Sequence, residues 1–290
     1  GLLMSDWGAV NDRVAAVAAG LDLEMPGSHG VNDAVLAEAV RSGVLDGEAV
    51  DACAARVVEL ALRSEEGAKE RDGAGMENAD AHHILARRAA TESTVLLTND
   101  GILPLARGVR VAVIGAMAAE PRYQGAGSSQ VTPTRLEGPL DALRSAVTGR
   151  EGAASTGDVT YVAAYDPITG NLEPDGLAEA ARAAAAAEVA LVFVGLPARY
   201  ESEGFDREHM RLPEGHDRLV EAVCAANSRA VVVLAGGAPV ELPWADEPAA
   251  IVLSYLGGQA GGGAVADVLV GDAEPGGRLA ETWPLALADV

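Results

Sequence analysis

Four short runs rich in β-branched residues constrain this chain more than anything else in it: 109–115 (VRVAVIG), 189–196 (VALVFVGL), 230–237 (AVVVLAGG) and 249–256 (AAIVLSYL). None alternates apolar with polar residues, so each expects burial on both faces. Between and after them lie helical patterns at 136–147, 176–188, 214–227 and 259–270, and 159–163 reads as a further strand. Continuous apolar strands alternating with helices predict a mainly parallel sheet covered on both sides. Pro275-Gly276-Gly277-Arg278 closes this stretch.

The N-terminal part repeats the order on a smaller scale. Residues 1–5 (GLLMS) read as a buried strand ending in a loop at Asp6-Trp7-Gly8, and 11–20 as a helix. Residues 21–25 read as a second strand stopped by Pro26-Gly27, and 31–63 as two helices split at Ser42-Gly43. Strand–helix–strand–helix order implies parallel βα units. The charged, Gly-rich stretch 64–80 reads as a linker, followed by a helix over 81–93 and an extended segment, VLLTNDGILPL. The expected organisation is therefore 1–63, a linker and docking helix over 64–108, and an α/β domain over 109–290, with no internal repeat.

Composition narrows the function classes. Hydrophobic residues make up 49% of the 290 but aromatics only 3%, so Ala, Val and Leu build the core. A net charge of −22 argues against nucleic acid and against an anionic membrane surface. No apolar run approaches the ~18 residues of a membrane span. The N-terminal residues hold no signal-peptide pattern, which says little because the chain begins at Gly1 mid-pattern, and a fragment or processed chain, cytoplasmic or secreted, is expected. Cys53 and Cys224 sit in Ala-rich helical patterns as small apolar side chains. The histidines do not cluster, since His82 and His83 face different sides of one helix. No metal and no organic cofactor is expected.

Two constellations carry possible chemistry. Asp6 stands at the C-terminal end of an apparent parallel strand, where α/β folds bind ligands, with Trp7 beside it to stack on a sugar face. The competing reading is a helix N-cap. Residues 199–213 (RYESEGFDREHMRLP) follow a strand and hold several acids, any of which could serve as a general acid with a raised pKa; the competing reading is a solvated charged loop. A third stretch, 111–127, ends a strand in glycine but is not G-x-G-x-x-G and opens no helix, so a nucleotide site is disfavoured.

Taken together, MSDWGAV (4–10), AGLDLEMPG (19–27), STVLLTNDGILPL (93–105), VAVIG (111–115), ESEGFDREHMRLP (201–213), GGAPVELPW (236–244) and the segment 255–284 resemble glycoside hydrolase family 3, in the family's order. The resemblance implies the remnant of a (β/α)8-type barrel followed by an α/β sandwich domain, with the active site between the two. It implies a retaining, exo-acting β-glucosidase that removes terminal non-reducing β-D-glucosyl residues. Asp6 would be the nucleophile that forms the glycosyl-enzyme, and Trp7 would line the sugar site. Glu203 would be the acid/base, with Glu201 as a second candidate because loop gaps blur the alignment. Retention requires the two carboxyl groups about 5–5.5 Å apart, with Asp6 ionised and the pKa of Glu203 raised. Asp206 and Arg207 would brace the loop, and Gly125–Ser129 resembles a family loop facing the site.

The departures matter as much. The family barrel would place about six βα units before residue 1, and the residues that grip the glucose hydroxyls lie there. The 290-residue chain alone is therefore expected to lack useful glycosidase activity unless another chain or segment supplies the barrel. The short Gly-rich connection 148–175 leaves no room for the insert that some relatives carry. Rival expectations are a β-xylosidase or α-arabinofuranosidase of the same family, and a non-catalytic sugar-binding fragment. The N-acetylglucosaminidase branch usually lacks the sandwich domain and is set aside. Expected partners are a β-glucoside or oligosaccharide substrate and a second copy in a homo-oligomer.

Overall fold

The computed structural model describes residues 1–70, 78–106, 108–148 and 158–290. The chain forms two compact units, Gly1–Glu77 and Asn78–Val290.

The second unit is built on a six-stranded sheet. Its strands are β1 (Val95–Asn99), β2 (Val111–Ile114), β3 (Val159–Val162), β4 (Val189–Gly195), β5 (Ala230–Ala235) and β6 (Ala250–Leu253), in the order β1-β6-β5-β4-β2-β3. All pairings are parallel except β1 with β6, which is antiparallel with an irregularity between Leu96 and Thr98. Every residue of β2, β4 and β6 is buried, as continuous apolar strands demand. Two helix groups cover the sheet. In one, α4 (Ala79–Ser93) and α5 (Pro139–Thr148) pack on α8 (Gly261–Val270); in the other, α6 (Gly176–Ala186) packs on α7 (Glu214–Ala226). The expected α/β sandwich with a mainly parallel sheet is what the chain forms.

The first unit is slighter. It holds α1 (Arg13–Ala18), α2 (Val31–Arg41) and α3 (Gly47–Glu70) around a small core of Val17, Ala39, Leu45 and Cys53. The two strands expected at 1–5 and 21–25 reduce to one parallel bridge, Met4↔Leu23. Nor is the first one buried: Leu3 and Met4 are 56% and 55% exposed. The physical reason is a lack of neighbours, because each strand pairs only with the other among the described residues. Asp22 ties them together. Its buried carboxylate accepts the Leu3 N–H at 2.8 Å and the Arg56 Nε at 2.7 Å. These bonds, Arg56 first, hold its pKa down at about 2.

The segment expected as linker and docking helix, 64–108, divides between the units. Residues 64–70 continue α3, whose exposed Glu65 and Lys69 pair one turn apart at 2.8 Å. Residues 71–77 lie outside the described residues, as does 149–157 of the Gly-rich connection. Helix α4 is locked into the second unit by Arg87, which grips Asp267 of α8 with two bonds of 2.7 Å, and by His83, 2.8 Å from Glu137.

Candidate active site

The sheet reverses its winding between β2 and β4, and in open α/β sheets the crevice outside the carboxyl ends at such a point is where ligands bind. The two strands stop unevenly. Their pairing ends at Ile114↔Val192, where Gly115 turns the chain away at φ 111°, while β4 continues to Gly195. That leaves one edge of residues 193–195 without a strand partner. Two side chains replace it. The Tyr165 hydroxyl donates to Phe193 O at 2.8 Å and accepts from the Met117 N–H at 3.2 Å, and Gly195 N–H donates to His216 Nδ1 at 3.3 Å. The two buried rings lie against each other, centroids 4.2 Å apart. Burial pushes the Tyr165 phenol up and the His216 imidazolium down, to about 4. His216 is therefore neutral, with the proton on Nε2, an atom with no partner among the described residues.

This device sets the start of the acidic loop 196–213. Arg122, from the segment after β2, fastens it with two bonds to main-chain oxygens, Nη1 to Leu196 at 3.1 Å and Nη2 to Glu201 at 3.3 Å, while its Nε donates to Gln124 O of its own segment at 2.9 Å. Burial lowers the Arg122 pKa, partly offset by the Glu201 charge. The two acid/base candidates then part company. Glu201 is half-buried and turns both carboxylate oxygens to the Gly237 N–H after β5, each at 3.0 Å. Glu203 is exposed and accepts from Ser128, at 2.5 Å from the hydroxyl and 2.8 Å from the N–H. Close approach explains the glycine before it: a Cβ on Gly127 would stand 2.8 Å from Glu203 Oε2. The expectation of a raised Glu203 pKa is corrected here. The Ser128 hydroxyl first, then its N–H, hold this carboxyl below the usual range, since both bonds favour the charged form. Arg207 donates from Nη2 to Pro239 O at 2.8 Å, while Asp206 is exposed.

In the first unit, Asp6 follows the Met4 bridge in a loop pinned by Ser5 N–H to Leu23 O and Gly8 N–H to Met25 O, both 2.9 Å. Asp6 is exposed, and its Oδ1 accepts the Trp7 N–H at 2.7 Å. It caps no helix, because α1 is capped by Asp12, whose Oδ1 accepts from Ala15 N–H at 3.0 Å. Trp7 is 72% exposed. Among the described residues, no group of three or more His, Cys, Asp or Glu could hold a metal ion, and no helix is long and apolar enough to cross a membrane.

Residues 94–290, the sheet and its acidic loop together, match the description "Glycosyl hydrolase family 3 C-terminal domain". The chain belongs to glycosyl hydrolase family 3. Along 99% of its length it is 46% identical to thermostable beta-glucosidase B of Acetivibrio thermocellus, and it spans 37% of that protein. It is 40% identical to the exo-alpha-(1->6)-L-arabinopyranosidase of Bifidobacterium longum, spanning 38% of it. Among solved structures it superposes on the family 3 beta-glucosidase of Bifidobacterium adolescentis with a TM-score of 0.87 at 42% identity, covering all of this chain and 41% of that one. The family 3 chain thus spans about two fifths of these relatives. Arg122, Ser128, Tyr165 and His216 were not singled out from the sequence. Only the Gly125–Ser129 motif pointed at one of them.

Proposed function

We propose that this chain supplies the C-terminal part of a retaining, exo-acting β-glucosidase. Asp6 is the nucleophile, Trp7 lines the sugar site and Glu203 is the acid/base. The observation that carries this reading is the contrast within the ESEG loop. Glu203 presents an exposed carboxylate oriented by Ser128, whereas Glu201 spends both oxygens on one backbone N–H. In the first half-reaction Asp6 attacks the anomeric carbon, the bond to the leaving oxygen breaks, and Glu203 gives that oxygen its proton. In the second, Glu203 takes a proton from water, which attacks the glycosyl-enzyme and frees Asp6. The Ser128 bonds keep Glu203 ionised in the resting protein, which suits the second step. For the first, it must take up a proton as substrate screens it from water.

The test joins this chain to the upstream part of the Acetivibrio relative, supplying the barrel that the proposal requires. Asp6→Asn should remove turnover of an aryl β-glucoside. Glu203→Ala should lower kcat by about 10²–10⁴-fold, with azide restoring the rate by attacking the glycosyl-enzyme. Azide rescue of Glu201→Ala instead would transfer the role to Glu201. Full activity of either Asp6→Asn or the unjoined chain would end the proposal as stated. Identity to an arabinopyranosidase favours a second reading, in which the sugar is an α-L-arabinopyranoside. Paired rates on the glucoside, xyloside and arabinopyranoside decide between them.

A further inference from the structure

The bonds between Ser128 and Glu203 join two loops that lie 75 residues apart in the chain. Both residues are exposed, so no packed core keeps the loops in register at that point. Three consecutive residues, Arg122-Tyr123-Gln124, supply the register, each with a separate task. Tyr123 anchors the segment to the helix layer, where its C=O accepts the Gly258 N–H, just before α8, at 2.8 Å. Gln124 closes the loop that carries Ser128. Its Nε2 donates to Val131 O at 3.1 Å, and its Oε1 accepts the Val131 N–H at 2.9 Å. Within that ring, Gly127 and Ser128 meet Glu203.

Arg122 joins this ring to the acidic loop. Its Nε donates to Gln124 O at the mouth of the ring, and its Nη1 and Nη2 donate to Leu196 O and Glu201 O, 74 and 79 residues away. Glu201 is held in turn at the end of β5, through the Gly237 N–H, and Glu203 follows two residues later. The guanidinium thus spans the feet of both loops. We infer that Arg122 is a positioning residue for the acid/base: it acts through Ser128, by holding the two loops at the separation at which Ser128 bonds Glu203. The inference rests on the function proposed above, in which Glu203 is the acid/base.

The geometry of the guanidinium, rather than its charge, makes the link. Its three acceptors are main-chain oxygens, not carboxylates. A planar fork with fixed donor directions can reach all three at once. A lysine ammonium keeps the charge on a flexible stem but not those directions, so Arg122→Lys separates the two properties. The margin is narrow. The Ser128 bonds are 2.5 and 2.8 Å long, and at about 3.6 Å neither would be a hydrogen bond. A shift of about 1 Å between the loops therefore releases Glu203. Displacements of that size at a reacting group cost about 10²-fold in rate.

The experiment has two arms. In the first, the glutamate carboxyl carbons of this chain are isotope-labelled, and Glu203 is assigned by the NMR signal lost in Glu203→Gln. Its titration midpoint, held down by Ser128, should rise in Ser128→Ala and at least as far in Arg122→Lys. Adding Ser128→Ala to Arg122→Lys should move it no further, since loops already parted have no Ser128 bond to lose. Gln124→Leu, which opens the ring without touching Arg122, should raise the midpoint too. Urea melts read at the buried Trp244 establish that each variant is folded. If Arg122→Lys does not fold, Gln124→Leu carries the same test with its own Ser128→Ala double variant. In the second arm, the joined enzyme is assayed on an aryl β-glucoside. Arg122→Lys, or Gln124→Leu in its place, should lower kcat about 10–100-fold and move the alkaline limb of kcat/KM to higher pH, whereas a variant that only loosened the fold would lose rate without moving the limb. The inference is overturned if the midpoint stays in place in either folded variant, if the double variant sums the two single shifts, or if the limb does not move. If the midpoints behave as expected but Glu203→Ala leaves the joined enzyme fully active, the function proposed above falls and the link between the loops stands.

Discussion

Both units are written in short apolar strands followed by Ala-rich helices, yet the same pattern ends differently in each. In the second unit, VALVFVG becomes β4, wholly buried between two parallel neighbours. In the first, GLLMS makes one bridge and leaves Leu3 and Met4 half in water. Propensity and pattern are alike; the number of neighbours is not. A strand becomes a buried element only when strands on both sides take its backbone groups and helices cover both faces.

Paired glycines give the sharpest test of this contrast. Gly115 and Gly8 both have positive φ, 111° and 71°. A Cβ on Gly115 would stand 2.1 Å from Phe193 O, whereas one on Gly8 meets nothing within 4 Å. Gly115→Ala should destabilise the second unit by about 4 kcal/mol or more. Gly8→Ala should cost the first about 1–2 kcal/mol, the strain of left-handed backbone alone. Urea melts read at the buried Trp244 report the second unit, and thiol labelling of the buried Cys53 reports the first. Equal effects would mean that the two regions tolerate intrusion alike.

The second test concerns the edge where β4 outruns β2. Tyr165→Phe removes one hydroxyl but strands two buried backbone groups, Phe193 C=O and Met117 N–H, and should cost about 1–3 kcal/mol. His216→Leu loses a longer bond of 3.3 Å and also removes the unpartnered Nε2–H, so its net cost should be smaller, below about 1 kcal/mol. A larger loss in His216→Leu than in Tyr165→Phe would show that the histidine, not the tyrosine, completes the edge.

What could be read beforehand follows the same line. The strands of the sheet and the helices between them were legible because burial on both faces writes itself as unbroken Val, Ile, Leu and Ala. Asp6 and the ESEG loop are candidates through a family resemblance, not through spacing. The half-exposed strands at the N-terminus were misread, since a local apolar run carries no information about how many neighbours it will find. The extension of α3 through 64–70 was missed because charge looked like a linker, although Glu65 and Lys69 sit at helical spacing. Arg122, Tyr165 and His216 act on backbone groups far away in sequence, so no local pattern announces them. The lowered pKa of Glu203 depends on Ser128, 75 residues distant.

The first unit relies on charge where the second relies on apolar layers, and acid should therefore separate them. Asp22 has its pKa lowered from 3.8 to about 2 by Arg56 and the Leu3 N–H. A carboxylate depressed on folding contributes stability that is full above its unfolded value and is lost as pH falls toward the folded one. Between pH 3.8 and about 2, Cys53 should become accessible to thiol reagent progressively, in a Cys224→Ser background. Asp22→Asn should open Cys53 at neutral pH and flatten that dependence. An unchanged acid profile in the variant would remove Asp22 as the tie between the two bridge strands.

The smallest effect belongs to the surface of α3. Glu65 and Lys69 pair at 2.8 Å, but both side chains are largely in water, at 63% and 72% exposure. An exposed i,i+4 pair is worth about 0.3–0.5 kcal/mol, and salt screens it. Glu65→Gln should therefore leave Cys53 protection unchanged and speed amide exchange only over the last turns of α3, an effect that vanishes at about 1 M salt. If Glu65→Gln instead exposed Cys53, the last turns of α3 would be supporting the small core of Val17, Ala39, Leu45 and Cys53. The contrast between a unit stabilised by layers and one held by a few ties would then need to include the helix end.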